Sequence, residues 1–142
     1  MRRAVAPGHV GRRDDAVLGL RDAATGGWVD IIDLPVQAWY PPSAKVVGDT
    51  LFLLMCQDED KVLWAHELGG TSRQLAHLPG QCWDIYGAMD ASRDGATVVF
   101  ASQEDGDVHV VDTAKGKVVR TIAAHTRLDG SHHGIVGEVA LS

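Results

Sequence analysis

The stretch Ser102-Gln-Glu-Asp-Gly-Asp-Val-His-Val-Val-Asp-Thr-Ala-Lys-Gly-Lys-Val-Val-Arg-Thr-Ile122 decides the fold, because other parts of the chain repeat its pattern. Residues 56–64 match its opening with a shift of 46 positions. Residues 17–20 align in turn with residues 61–64 and 107–110. The mean repeat length is therefore about 45 residues, which is typical of proteins that stack small antiparallel sheets.

Each repeat carries the signals of short strands joined by tight turns. Val108 and Val110 alternate with less apolar neighbours, as expected for a half-buried strand. Residues 22–27 and 112–117 combine an Asp, which can accept backbone N–H groups, with a Gly for the positive-φ position. No segment has helical periodicity, so the sequence predicts an all-β fold with four antiparallel strands per repeat. The first strand of the later repeats is predicted at residues 36–40, 83–91 and 134–141.

Residues 111–126 give the pattern a family resemblance. They read Val-Asp-Thr-Ala-Lys-Gly-Lys-Val-Val-Arg-Thr-Ile-Ala-Ala-His-Thr. This resembles the end of a WD40 repeat, where a Trp-Asp pair, a Thr-Gly-Lys type of turn and a Gly-His pair follow in that order. Residues 21–27 resemble a second instance, and residues 92–95, Ser-Arg-Asp-Gly, resemble the family's Ser-Pro-Asp-Gly hairpin. Residues 133–142 are similar to the innermost strand that opens a following repeat.

The sequence also departs from the WD40 pattern. Val111 and Arg21 stand where Trp is usual, Ala124 stands where Gly is usual, and the middle copy has Ala65-His66 in place of Trp-Asp. Propellers of the Tyr-Val-Thr-Asn type and of the quinoprotein-like type share the same hairpins. The resemblance covers nearly the whole chain and is to β-propellers as a class.

The resemblance implies one domain, residues 1–142, made of β-propeller blades of four antiparallel strands. The blades would span approximately residues 4–34 (strands b to d, counted from the inside), 36–79 and 82–123, with 134–142 as strand a of a further blade. Such a partial propeller has about three blades' worth of strands, whereas closed rings have at least about four blades. Two interpretations stay open: a fragment of a larger propeller, or half of a homodimeric ring.

Composition narrows the classes of partner. The net charge is −6 and the sequence pI is about 5.5, so the chain lacks the dense basic surface that binds nucleic acid. No apolar run follows the basic residues near Met1, and none is long enough to span a bilayer, so a membrane partner is not expected and a cytoplasmic location is predicted. Cys56 and Cys82 are interpreted as reduced, structural thiols.

No catalytic residue, metal ligand or cofactor is predicted. The sequence lacks the Gly-x-Ser-x-Gly and phosphate-loop motifs, and the acidic turns at residues 57–60 and 103–107 recur with the repeat, as solvated turns do. The side chains predicted to contact a ligand or partner are Trp39, Tyr40, Trp83, Asp84 and Tyr86 on inner strands, and His132 and His133 in a long loop. The positions predicted to be structural, in turns or hydrogen bonds, are Asp22, Gly26, Asp94, Gly95, Asp112, Gly116 and His125.

These features favour a non-catalytic β-propeller module that acts as a protein–protein interaction scaffold. Its expected partner is another protein or the remaining blades of a propeller. The alternative is part of a propeller enzyme or ligand-binding sensor, of lactonase or quinoprotein type, with its site at the central channel. Such sites need charged side chains that converge from several inner strands, and the inner strands offer only Asp84, Asp90 and Glu138.

Overall fold

Three antiparallel sheets make up the protein in the computed structural model, which describes residues 3–8, 16–36, 43–79, 88–102, 107–123 and 139–141. Within these ranges the chain is all-β without a helix, which confirms the predicted class. Sheet 1 contains β1 (Arg3–Gly8), β2 (Ala16–Asp22) and β3 (Trp28–Val36). Sheet 2 contains β4 (Ser43–Val47), β5 (Thr50–Gln57), β6 (Asp60–Glu67) and β7 (Ser72–Leu78). Sheet 3 contains β8 (Met89–Ala91), β9 (Thr97–Ser102), β10 (Asp107–Asp112) and β11 (Lys117–Ala123).

The last hairpin of every sheet begins at an acidic residue. These residues are Asp22, Glu67 and Asp112, and they are spaced 45 positions apart. The carbonyls of Asp22 and Asp112 accept the N–H groups of Gly26 and Gly116, and Glu67 closes a turn that is one residue shorter. Gly26 and Gly116 have φ values of 71° and 63°, which glycine adopts at little steric cost. The hairpins therefore set a structural repeat of 45 residues.

This repeat corrects the alignment of the middle copy. The sequence pattern placed His66 at the Asp position of the repeat, whereas the structure places Glu67 there. Glu67 pairs with Thr50 across β5 and β6, as Asp112 pairs with Thr97 across β9 and β10. β6 and β10 are thus 45 residues apart but β5 and β9 are 47 apart, so the apparent shift of 46 was an average of the two.

The two spacings differ because the β5–β6 hairpin is two residues longer than its counterpart in sheet 3: Thr50 and Glu67 are 17 positions apart, whereas Thr97 and Asp112 are 15 apart. β5 and β6 are joined by Asp58 and Glu59 alone, whose φ values are 49° and 69°. Positive φ at both central residues is the mark of a type I′ turn, which fits the twist of a hairpin. In sheet 3 the described pairs of β9 and β10 end at Ser102 and Asp107. A strict sequence period could not describe both.

The first strand of sheet 2 lies later than predicted. The prediction was residues 36–40, but Val36 is the last residue of β3 and β4 is Ser43–Val47. Gly48, with φ of 59°, and Asp49 join β4 directly to β5. Because a turn of two residues leaves no slack, it fixes the end of β4 at Val47. The prediction for sheet 3, residues 83–91, contains the observed β8.

Sheet 2 is the middle layer, because a core cluster packs on each of its faces. One cluster joins sheets 1 and 2 through Leu20, Ile32, Leu51, Leu53 and Met55. The other joins sheets 2 and 3 through side chains that include Phe52, Leu54, Leu63, Ala65, Val98, Phe100 and Val111. β5 supplies six consecutive buried residues, which is why its sequence is a continuous apolar run rather than an alternating one.

The three sheets stack in the same orientation. We call the face of a sheet that is turned to the next sheet in the sequence its forward face, and the other its backward face. Leu20, Ala65 and Val110 each stand two residues before the acidic turn residue, and Leu20 and Ala65 pack toward the following sheet. Val111 packs back onto sheet 2, so its neighbour Val110 lies on the forward face of sheet 3. Each backward face thus covers the preceding forward face.

Cys56 contradicts the prediction of reduced, structural thiols. It is 5% exposed and disulfide-bonded. The other cysteine of the sequence is Cys82, which lies outside the described residues.

Candidate functional site

A hydrogen-bonded triad, formed by the buried His66 and the partly buried Asp30 and Ser72, links sheet 1 to sheet 2. Nε2 of His66 lies 2.8 Å from Oδ2 of Asp30, and Nδ1 lies 2.8 Å from the Ser72 hydroxyl. Because a carboxylate only accepts, Nε2 carries a proton and donates it to Asp30, and in the neutral ring Nδ1 accepts from Ser72. The backbone N–H of Gly69 also donates to Asp30, at 2.9 Å.

The proton arrangement of this triad matches that of a serine nucleophile with its base, but its burial does not suit catalysis. A nucleophile and its base need room for a substrate beside both of them. The His66 side chain is only 7% exposed, because it lies between two packed sheets. We therefore assign the triad a structural role, in which it pins β3 to the β6–β7 hairpin.

The hydrogen bonds of the triad also shift the titration of Asp30. Burial acts to raise the pKa of Asp30, but hydrogen bonds from His66 and from the N–H groups of Gly69 and Ile31 outweigh it. The pKa therefore lies below the usual 3.8. The carboxylate is the form that holds the two sheets together.

The turn positions singled out in the sequence lie in compact hydrogen-bonded hairpins. In the turn before β9, Asp94 accepts from the Ser92 hydroxyl at 2.7 Å and from Ala96 N–H at 3.0 Å, and Gly95 has φ of 70°. The bond from Ala96 and then that from Ser92 hold the pKa of Asp94 below its usual value. The Thr113 hydroxyl donates to the Gly95 carbonyl at 2.7 Å and ties this turn to the last hairpin.

The outer hairpins use their acidic residues in a similar way. The Asp22 carboxylate accepts the N–H of Ala24 at 2.8 Å, and Asp112 accepts that of Lys115 at 2.9 Å. The bond from Lys115 is the main cause that lowers the pKa of Asp112. Asp22, Gly26, Asp112 and Gly116 thus shape hairpins and leave no open coordination site.

The backward face of sheet 1 carries the largest exposed apolar side chains of the described residues. Trp28 is 56% exposed and Ile31 is 62% exposed. The Trp28 ring lies over Gly19, where an added Cβ would come within 1.9 Å of the ring, and the Arg21 guanidinium stacks on it 4.0 Å from the ring centroid. Trp and Arg are frequent anchors of protein interfaces, so this open face is the first candidate functional surface.

The forward face of sheet 3 is the second open face. Ile122 and Val119 are 40% and 47% exposed. Ile32 stands at the position of sheet 1 that corresponds to Ile122, and sheet 2 covers it to an exposure of 1%. This position of the sheet is therefore buried between sheets 1 and 2 but exposed on sheet 3, where no further sheet of the described residues covers it.

A small polar pocket lies beside the β5–β6 turn. It encloses about 180 Å³ and is lined by Gln57, Asp58, Asp60, Val62, Gln74 and His77. Nε2 of His77 lies 2.6 Å from Asp60 Oδ2, so these two side chains satisfy each other. Across the part of the chain that the structure describes, no group of three or more His, Cys, Asp or Glu is placed to hold a metal ion.

The sequence pattern did not predict the triad or the Trp28 surface. Trp39, Tyr40, Trp83, Asp84, Tyr86, His125, His132, His133 and Glu138 lie outside the described residues. Asp90 is described: Leu141 N–H donates to it at 2.8 Å and Lys45 lies 3.1 Å away, and these bonds, that of Leu141 first, lower its pKa. An alignment with a shift of 45 residues gives His66 the same repeat position as Arg21, just before the acidic turn residue. In the structure, His66 at this position contacts the neighbouring sheet.

No protein-family model matches the sequence, and no curated protein matches it. Among the residues that the structure describes, none belongs to a helix long and apolar enough to cross a membrane.

Proposed function

We propose that this chain is a partial β-propeller that serves as a non-catalytic protein–protein interaction scaffold. The observation that carries the proposal is the stack of three sheets in one orientation, open at both ends. Repeated four-stranded sheets that pack face to face are the construction of propeller blades. An apolar sheet face that remains open is typical of a surface that another protein covers.

The interior of the stack supports a scaffold rather than an enzyme. Two polar contacts join neighbouring sheets: Asp30 accepts from His66, and the buried Lys61 donates from its Nζ to the Ala101 carbonyl at 3.1 Å. Such contacts rigidify the stack and hold the end faces in a fixed shape. The enzyme or sensor alternative gains no support from the described residues.

Affinity capture with matched variants tests the scaffold function. Wild type, Ile31→Asp and Arg93→Asp are immobilised and exposed to an extract of the cells that express the protein. Ile31 lies on the open backward face, whereas Arg93 is exposed in the turn before β9. We expect a protein that wild type and Arg93→Asp retain and that Ile31→Asp loses. The same retained proteins on all three, or none on any, would contradict the proposal.

A further inference from the structure

In the part of the chain that the structure describes, sheet 1 has one strand fewer than the other two sheets. Sheets 2 and 3 each have at one edge an inner strand, β4 or β8, which pairs with β5 or β9. β1 is the counterpart of β5 and β9, because it pairs with β2 as they pair with β6 and β10. No other described strand pairs with β1, so its second edge presents free backbone N–H and C=O groups.

The inner strands contact one another in the order of the sequence. Lys45 of β4 and Asp90 of β8 occupy the same position of their sheets, because each pairs with the corresponding residue of the next strand. Nζ of Lys45 lies 3.1 Å from Oδ1 of Asp90. The other carboxylate oxygen of Asp90 accepts the N–H of Leu141 at 2.8 Å. Residues 139–141 therefore take the place that follows β8 in this series.

The forward face of sheet 3 is covered on its inner half and open on its outer half. Val99 and Ala101 alternate along β9 with residues that pack back onto sheet 2, so they lie on the forward face. They are 6% and 0% exposed, whereas Ile122 of β11 is 40% exposed. Beyond sheet 3 the described residues thus provide an inner segment without outer strands. Sheet 1 provides the converse, which is three outer strands without an inner one.

We propose that residues 139–141 of one copy add to the free edge of β1 in a second copy as its inner strand. This rests on the partial β-propeller proposed above and names a second copy as the partner that completes it. Residues 139–142 read Val-Ala-Leu-Ser as residues 89–92 read Met-Asp-Ala-Ser, so Ala140 corresponds to Asp90. Val5 corresponds to the residue that pairs with Asp90, so Ala140 of one copy pairs with Val5 of the other.

The occupant is a second copy because the two complementary features lie at opposite ends of one stack. Sheet 2 stands between sheets 1 and 3, and the bond from Leu141 to Asp90 holds residues 139–141 beside sheet 3. A chain's own segment is thus kept away from its own β1. Exchange in both directions joins two sets of three sheets into a two-fold symmetric ring, and six lies within the four to eight blades of closed propellers.

Pro7 limits the length of the added strand. It corresponds to Ala101 of sheet 3, whose N–H donates to the Ala88 carbonyl on the inner side. Proline has no N–H to donate, so the ladder on β1 ends before Pro7. The remaining pairs accommodate a strand of three residues, which is the length of β8.

Disulfide trapping tests the partner and the register together. Val5→Cys and Ala140→Cys are prepared as separate variants, mixed and oxidised. Residues directly opposite in a hydrogen-bonded pair lie about 5.5 Å apart at Cα, which a disulfide can span, so we expect a linked dimer on a non-reducing gel. Val139→Cys is the matched control, because neighbouring residues of a strand face opposite sides, and it should not link to Val5→Cys.

Sedimentation equilibrium provides the second measurement. We expect wild type to be a dimer. Ala140→Pro removes the N–H that the added strand turns to β1, and it should raise the dissociation constant by about tenfold or more. Circular dichroism confirms that each variant is folded.

Three outcomes would overturn the proposal. They are a monomeric wild type, equal linking of Val5→Cys to both partners or to neither, and a variant with Val5→Cys and Ala140→Cys that links only within one chain. The last would show that the chain's own segment is the occupant. Capture of another protein by a monomeric wild type would leave the scaffold function standing without this partner.

Discussion

Replacing Gly19 with Ala should destabilise the protein through Trp28 alone. An added Cβ would lie 1.9 Å from Cζ3 and 2.7 Å from Cη2 of the Trp28 ring, so the ring must leave its place over β2. Trp28 is 56% exposed, so somewhat less than half of the side chain, roughly 100 Å², is covered and at stake. At about 25 cal/mol per Å² this area contributes up to about 2.5 kcal/mol.

Two smaller effects adjust this figure. Loss of the Arg21 stacking costs about 0.5–1 kcal/mol more. Partial repacking of the ring and the better strand propensity of Ala offset about 1–2 kcal/mol of this loss of stability. We expect a net loss of about 1–2 kcal/mol in the free energy of unfolding, or roughly 4–8 °C in melting temperature, measured by circular dichroism.

A double-mutant cycle separates this mechanism from a general intolerance of Gly19 to substitution. In a Trp28→Ala background there is no ring to displace, so Gly19→Ala should be neutral or stabilising by up to about 1 kcal/mol. Gly70→Ala is the matched control, because its added Cβ would meet nothing closer than 3.4 Å. An equal loss from Gly19→Ala in both backgrounds would refute the reasoning.

Three further predictions test other features. Because the pKa of Asp30 is lowered, its stabilisation is present above 3.8 and is lost as the pH falls through the folded value. Asp30→Asn should therefore lower the free energy of unfolding at neutral pH by about 1.5–3 kcal/mol, measured by urea unfolding. It should also weaken the loss of stability at acidic pH, and a loss equal to that of wild type would contradict this. Glu59→Gly should stabilise by about 0.5–1 kcal/mol, since Gly relieves the φ of 69°, and a lower urea midpoint would exclude a type I′ turn. Reduction of the Cys56 disulfide should lower the unfolding free energy by about 2–4 kcal/mol, and alkylation of the native protein before reduction would disprove the bond.

The sequence allowed prediction of the all-β class and of most strand positions, because these depend on local signals. Alternation in β10, and Asp with Gly in the outer turns, report directly on a half-buried strand and a tight hairpin. The sequence shows that β5 is a continuous apolar run. Its burial on both faces could not be predicted, because it depends on the positions of the two neighbouring sheets. The position of β4 was predicted wrongly, because the two-residue turn of Gly48 and Asp49 fixes it and the apolar pattern of residues 36–40 does not.

The candidate surfaces could not be predicted because they depend on which residues meet across sheets. A shift of one residue exchanges the two faces of a strand, so the 46-residue alignment put His66 on the wrong position relative to Arg21. Asp30 and His66 are 36 positions apart, and nothing local in the sequence links them. The exposure of Trp28 likewise reflects a missing neighbour, which a single strand's pattern does not encode.

The stack has an uneven resistance to local opening. Among the described residues, sheet 2 has a neighbour on both sides, whereas sheet 1 packs on another sheet only through its forward face. In a linear array with nearest-neighbour coupling, an end unit can detach by breaking one contact surface, but a middle unit must break two. Amide protons of β5 should therefore exchange with solvent only through global unfolding, while those of β2 and β3 exchange through detachment of sheet 1. A protein that covers sheet 1 would close this route and slow exchange there first.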